Sequence, residues 1–167
     1  MKYNTNNLPN EIPLFPLPGA LLLPKSKLPL NLFEPKYITM LNDVLKTEDR
    51  LIGMIQPASN PEGTNGSRQL HQIGCAGRIT SFNETKDGRY LVTLEGISRY
   101  RFKNTAEGFF PYIKGRVSWD SFSEDLEQTK PDENFNRIEF LKILSKYFAA
   151  AQLSSDWSSL KDADEEL

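Results

Sequence analysis

The side chains that could support chemistry in this chain are few. His71 is the only histidine and Cys75 the only cysteine, and they stand four residues apart. Both fall on one face if the segment is a strand. Two ligands are too few for a structural zinc, and a Cys–His nucleophile pair needs a third group to orient the base. One cysteine also rules out an intramolecular disulfide and any cysteine-cluster metal site. The patterns GxxxxGK[ST], GxSxG and HExxH do not occur in the sequence, so nucleotide hydrolysis and the commoner hydrolase chemistries lack their usual parts. Carboxylates cluster at Glu124-Asp125 and from Asp162 to Glu166. They lie in polar stretches with nothing apolar to raise a pKa, which marks solvated faces. The residues thus assign no catalytic group, cofactor or metal site.

Two groups of side chains remain that could bind rather than react. Arg99, Arg101 and Lys103 share one strand face, with Lys114 and Arg116 expected beside them. Such a stripe could contact phosphates, but Tyr100 and Phe102 point the other way and leave no aromatic of the same parity for base stacking. An ordinary solvated sheet face is the simpler assignment. The net charge of −2, from 20 basic and 22 acidic residues, adds no general pull toward nucleic acid or an anionic membrane. The second group is apolar: Leu21, Leu22 and Leu23 between Gly19 and Pro24, with Phe33 just ahead of a helix. Three adjacent leucines cannot all face inward from a strand, so at least one faces solvent or a partner. Glu34 and Lys36 sit at the helix start, where free N–H groups lie, and are polar candidates for the same role.

The elements that position these residues can be taken in order. A chain of 167 residues accommodates one main domain and a terminal appendage. Residues 1–11 are polar and predict a flexible lead-in. Pro13 to Pro35 holds six of the eleven prolines, so neither a central strand nor a long helix can run through it. Short extended pieces remain, at Leu14-Phe15, Leu21 to Leu23 and Leu28 to Phe33. Pro35 opens a helix with Tyr37, Leu41, Val44 and Leu45 on one face, ending near residues 46–49. Leu51 to Gln56 is a buried strand closed by Pro57, and residues 58–69 form a surface loop. Gln72 to Asn83 alternates, with Ile73, Cys75, Gly77, Ile79 and Ser81 on one face and Gly74, Ala76, Arg78, Thr80 and Phe82 on the other. Its glycines suggest a bulge or close backbone approach. Asp87-Gly88 marks a hairpin into a long strand from Arg89 to Lys103, bent at Gly96. A further strand runs from Tyr112 to Trp119. After a polar, acidic stretch, Phe135, Ile138, Leu141, Leu144 and Phe148 recur at helical spacing, which predicts a helix over residues 132–151, and Asp156 starts another. No apolar run approaches the roughly 20 residues of a bilayer span, and the N-terminus has no apolar signal region. Cytoplasmic location is the default.

Taken together, three blocks resemble a known family. IPLFPLPGALLLPKSKLPLNLFEPKYITML, then LIGMIQP, then IGCAGRITSFNETKDGRYLVTLEGISRYRF are similar to the N-terminal substrate-binding domain of Lon proteases, in the bacterial form that stands alone. The resemblance spans residues 12–119. It implies a mainly β, α+β fold: a PUA-like pseudo-barrel of about six strands with one inserted helix, then a C-terminal helical segment. The corresponding division is 1–11 lead-in, 12–120 β domain, 121–131 linker and 132–167 helical subdomain, the last expected to be cut short. It further implies a non-enzymatic module that binds unfolded or tagged polypeptide segments, in the recognition step of proteolysis and protein quality control, with no cofactor. ATPase and Ser-Lys protease domains are not part of this sequence. Within that reading Leu21, Leu22, Leu23, Phe33, Glu34 and Lys36 are the candidate contacts. RNA or nucleobase binding through the PUA-like architecture is the alternative, with Arg99, Arg101, Lys103 and Arg116 as its patch. A small-ligand pocket has no polar cluster in its favour.

Overall fold

The computed structural model describes residues 3–5, 7–58, 70–127 and 136–154. The chain divides into two compact units, Met1–Glu127 and Gln128–Leu167. The first unit is built from β1 (Glu11–Pro16), β2 (Lys27–Leu32), α1 (Pro35–Leu45), β3 (Leu51–Pro57), β4 (Leu70–Glu84), β5 (Tyr90–Thr105) and β6 (Ile113–Ser118), followed by a 3-10 helix over Asp120–Leu126. The strand order is β2-β5-β4-β3-β1-β6, and β5 also pairs with β6. Five strands therefore close into a barrel, and β2 is an extra strand laid along β5. Among the described strands only β1 and β3 run parallel, and α1 lies in the connection between them. A mainly β architecture of about six strands with one inserted helix is what the family resemblance implies.

Closure depends on β5. Its first part, Tyr90 to Glu95, pairs with β2, and its last part, Arg101 to Thr105, pairs with β6. β4 pairs with it from Tyr90 to Arg101. The change of partner falls at Gly96. There the proline-rich segment crosses the strand, with the Lys25 N–H donating to the Gly96 carbonyl at 2.7 Å and the Gly96 N–H donating to the Ser26 carbonyl at 2.8 Å. A Cβ on residue 96 would overlap the Leu23 carbonyl, so this crossing admits glycine alone.

Two apolar clusters flank the sheet. One gathers Tyr37, Met40, Leu41 and Val44 of α1 over Phe15, Leu22, Ile52, Met54, Val92 and Leu94. The other draws on all five closed strands and centres on Tyr100, whose hydroxyl donates to the Met54 carbonyl at 3.1 Å. A Cβ at Gly74 would collide with that hydroxyl. β3 and β4 feed both clusters, which explains the uninterrupted apolar run in Leu51 to Ile55. Both faces of β4 are therefore buried in its middle: Cys75 and Ile79 join the first cluster and Ala76 the second, the two faces that the alternation predicts, while Ile73 is exposed. Register shifts in the β4–β5 ladder fall at Ala76/Gly77 and Ile79/Ser81. On α1 the buried stripe includes Met40, with Leu45 at its rim.

Two segments depart from expectation. The described part of residues 1–11 is packed: Leu8 is buried, the Tyr3 hydroxyl donates to the Asp49 carbonyl at 3.4 Å, and Trp119 Nε1 donates to the Pro9 carbonyl at 3.1 Å. Two apolar side chains and a tryptophan partner outweigh the polar composition. Residues 120–126, which overlap the expected linker from residue 121 on, form the 3-10 helix and bind β5 through Asp125. In the second unit, α2 (Arg137–Ala150) is capped by Asn136, whose Oδ1 accepts from the Glu139 N–H at 3.1 Å. Leu141, Leu144 and Phe148 are half-buried, as their spacing predicts, and Ile138 and Tyr147 are exposed. The predicted loop at 59–69, the proline start at 131–132 and the helix from Asp156 lie outside the described residues.

Replacing Gly96 by alanine is expected to destabilise the first unit by about 1–3 kcal/mol, the usual range for overpacking a close contact. A urea midpoint lowered against wild type, with an unchanged slope, would show it.

Candidate functional site

The leucine run lies in the connection from β1 to β2. Leu22 is 2% exposed and inserts into the first cluster, with its Cδ2 standing 2.7 Å from where a Gly77 Cβ would be. Its neighbours point away, Leu21 at 70% and Leu23 at 52% exposure. The sequence requires at least one leucine to be left outside, and two are. Ile73, 48% exposed at the start of β4, faces the same cleft of about 100 Å³, which Ala20, Met54 and Cys75 also line.

The loop is held at both ends. Gln56 at the end of β3 accepts from the Gly19 N–H through Oε1 at 3.1 Å and donates through Nε2 to the Ala20 carbonyl. At the other end Ser26 Oγ donates to the Leu23 carbonyl at 2.8 Å and accepts from the Leu23 N–H at 3.1 Å, next to the Gly96 crossing. The polar lining is also committed. Gln56 is used by the loop, and Arg99 is bound to Asp125. Burial pushes the Cys75 thiol up to about 12, so no thiolate is available at neutral pH. His71 is exposed on the surface. Among the described residues no three metal-ligating side chains converge.

Phe33, Glu34 and Lys36 line a different cleft, between β1, β2 and α1. Lys36 pairs with Glu34 at 2.9 Å and lies 4.7 Å from the centre of the Tyr37 ring; hydrogen bonding to Glu34 raises the ammonium pKa. Phe33 is exposed, with Arg89 at 6.0 Å over its ring. The structure does not bring this trio together with the three leucines.

The basic stripe is largely paired. Arg99 Nε and Nη2 donate to both Asp125 oxygens at 2.9 and 2.7 Å, its backbone N–H adds a third bond at 2.9 Å, and its guanidinium lies 4.6 Å over the Phe122 ring. Hydrogen bonding to Arg99 holds the Asp125 carboxyl below its ordinary value. Arg116 and Lys114 both reach Glu11, at 3.0 and 3.6 Å, and Arg116 holds the Glu11 carboxyl low. Arg101 contacts Gln72 at 3.5 Å and Lys103 is exposed. Carboxylates thus occupy Arg99 and Arg116, two of the four residues of the candidate basic patch.

Comparison with known proteins settles the family. The ATP-dependent protease La (LON) substrate-binding domain matches residues 11–164. The chain belongs to that family. Among curated proteins, the LON domain chain is 28% identical over 120 residues to Lon protease 2 of Sorangium cellulosum, covering 71% of this chain and 15% of that protein. It is 25% identical over 153 residues to Lon protease 2 of Myxococcus xanthus, covering 89% of this chain and 18% of that protein. Among solved structures, a Lon N-terminal domain protein from Xanthomonas campestris superposes with a TM-score of 0.55 at 23% identity, over 83% of this chain and 73% of that one. This last likeness speaks for the fold. The chain spans less than a fifth of the curated Lon proteases it matches.

Three residues of this candidate site escape sequence reasoning. Ile73 was assigned to a face and not to a surface. Gln56 carries one signal, a lone amide closing an apolar run before Pro57. Asp125 sits in a polar stretch that reads as solvent-facing, yet its side chain is only 8% exposed.

Because the folded state holds the Asp125 carboxyl low, the Arg99 pair contributes stability above the ordinary aspartate range and loses it as the pH falls below about 4. Asp125→Asn is expected to cost about 1–2 kcal/mol at pH 7 and to flatten that acid limb. Urea midpoints measured from pH 7 to pH 2.5 would show both effects.

Proposed function

We propose that this LON domain is a non-enzymatic recognition module that binds apolar segments of unfolded or tagged polypeptide at the cleft beside Leu21, Leu23 and Ile73, as an adaptor in cytoplasmic protein quality control. One observation carries the reading: two leucines are held out into solvent on a loop bonded at both ends, over a cleft whose polar side chains, Gln56 and Arg99, both have internal partners. Such a surface recognises mainly by burial, since both side chains are already engaged within the fold. The family membership supports a protein as the ligand, and the Lon proteases among the relatives support a role connected with proteolysis. Leu22 serves the site from beneath, as the plug that fixes its neighbours. Phe33, Glu34 and Lys36 belong to a separate cleft and are not part of this proposal. RNA binding through Arg99, Arg101, Lys103 and Arg116 gains nothing from the geometry, because Asp125 and Glu11 neutralise two of the four. Among the described residues no helix is long and apolar enough to cross a membrane.

Fluorescence anisotropy with labelled, reduced and carboxymethylated lactalbumin tests the reading. Wild type is expected to bind, and Leu21→Asp/Leu23→Asp to weaken binding at least about tenfold, the equivalent of losing one buried leucine's transfer free energy, with unchanged circular dichroism. Equal binding by the double variant, or salt-sensitive binding of a single-stranded RNA in place of the polypeptide, would overturn it.

A further inference from the structure

We infer that Gln56 is the positioning residue of this site: its side-chain amide sets the height and spacing at which Leu21 and Leu23 are presented, without itself touching the ligand. The inference rests on the reading of the cleft as a polypeptide-binding site and goes beyond it.

Gln56 is half-buried at the end of β3 and uses both halves of its amide on one loop. Oε1 accepts from the Gly19 N–H at 3.1 Å, and Nε2 donates to the Ala20 carbonyl. These backbone groups lie 37 and 36 positions away in the chain, and they immediately precede the leucines. Gly19 has φ of +77°, a conformation that glycine adopts without strain. The Leu17 N–H donates to the Ile55 carbonyl at 3.2 Å, so the β1–β3 ladder ends just before this point and the amide continues it by one more rung. At the far end, Ser26 and the Gly96 crossing hold Leu23. Leu21 is thus suspended between Gln56 on one side and the Leu22 plug on the other.

The chemistry explains why glutamine stands here. A donor and an acceptor are needed on one planar group, which Gln supplies and Glu at neutral pH does not. Asn supplies both but is shorter by one methylene. An apolar surface that must present two side chains loses affinity when the loop is mobile, because the ligand must then order it.

The experiment compares wild type, Gln56→Ala, Gln56→Glu, Gln56→Asn and Leu21→Asp/Leu23→Asp in the full chain, with two readouts. The first is affinity for reduced, carboxymethylated lactalbumin at 20 °C, where every variant is folded by circular dichroism. The second, independent of any ligand, is amide hydrogen exchange along residues 19–23. Gln56→Ala is expected to bind about fivefold or more weakly and to exchange faster at 19–23, with the barrel strands unchanged. Gln56→Glu and Gln56→Asn should fall between Ala and wild type. If Gln56→Ala binds and exchanges as wild type does, Gln56 positions nothing. If exchange accelerates across β1, β3 and β5 together, its role is general stability and the inference fails. If Gln56→Ala exchanges faster at 19–23 but wild type itself does not bind the polypeptide, the polypeptide-site reading fails, and with it the claim that the amide serves binding. If the leucine variant loses binding while Gln56→Ala keeps it, the site stands and Gln56 has no part in it.

Discussion

The first unit hangs on one contact between backbones, where the proline-rich segment crosses β5 at Gly96. A crossing this close excludes even a methyl group, and in return it gives each chain a hydrogen-bond partner that the sheet no longer offers. β5 has just left β2 and has not yet met β6, so its polar groups there would otherwise be buried and unpaired. The same contact decides where the three leucines go. It holds the Leu23 carbonyl against the strand, lets Leu22 drop into the apolar cluster, and leaves the residues on either side in solvent. Core packing and surface presentation are two outcomes of one geometric requirement.

Charge is arranged to leave the site neutral. Asp125 covers Arg99 beside the cleft, and Glu11 covers both Lys114 and Arg116 across the β1–β6 pair. Each pair also fastens elements together: Asp125 ties the 3-10 helix to β5, and Glu11 links the opening strand to the closing one. The exposed pairs on Glu11 add little to stability singly, but together with the Asp125 pair they engage Arg99, Lys114 and Arg116 within the fold. That part of the basic stripe acts in the structure as a set of struts.

Much of this was legible because it is periodic or punctuated. Pro35 followed by apolar residues three and four apart could only be a helix start, and Asp87-Gly88 between alternating stretches could only be a hairpin. The leucine run could be read from the sheet period alone, which forbids three adjacent side chains on one face. What escaped was either two-sided or long-range. A strand buried on both faces, such as the middle of β4, shows no apolar–polar alternation, so parity alone does not tell which of its side chains end at the surface. The bonds of Gln56 to Gly19 and Ala20, and of Asp125 to Arg99, join a side chain to a site far along the chain and leave no pattern at either end. The opening residues looked like a loose tail because composition averages away the two side chains, Tyr3 and Leu8, that bind them down.

Barrel closure also orders events in time. The strand that begins the domain pairs with the strand that ends it, Glu11 to Leu14 against Ile113 to Arg116, so nearly the whole unit must be present before the ring can shut. Topologies dominated by such distant partners form slowly, because the loop entropy is lost before the contacts are gained. The leucine loop is tied to the same schedule, since Gly96 lies more than 70 positions beyond Leu23. A chain still emerging from the ribosome has the three leucines but no cleft. Until β5 arrives, they are ordinary sticky residues of a nascent polypeptide.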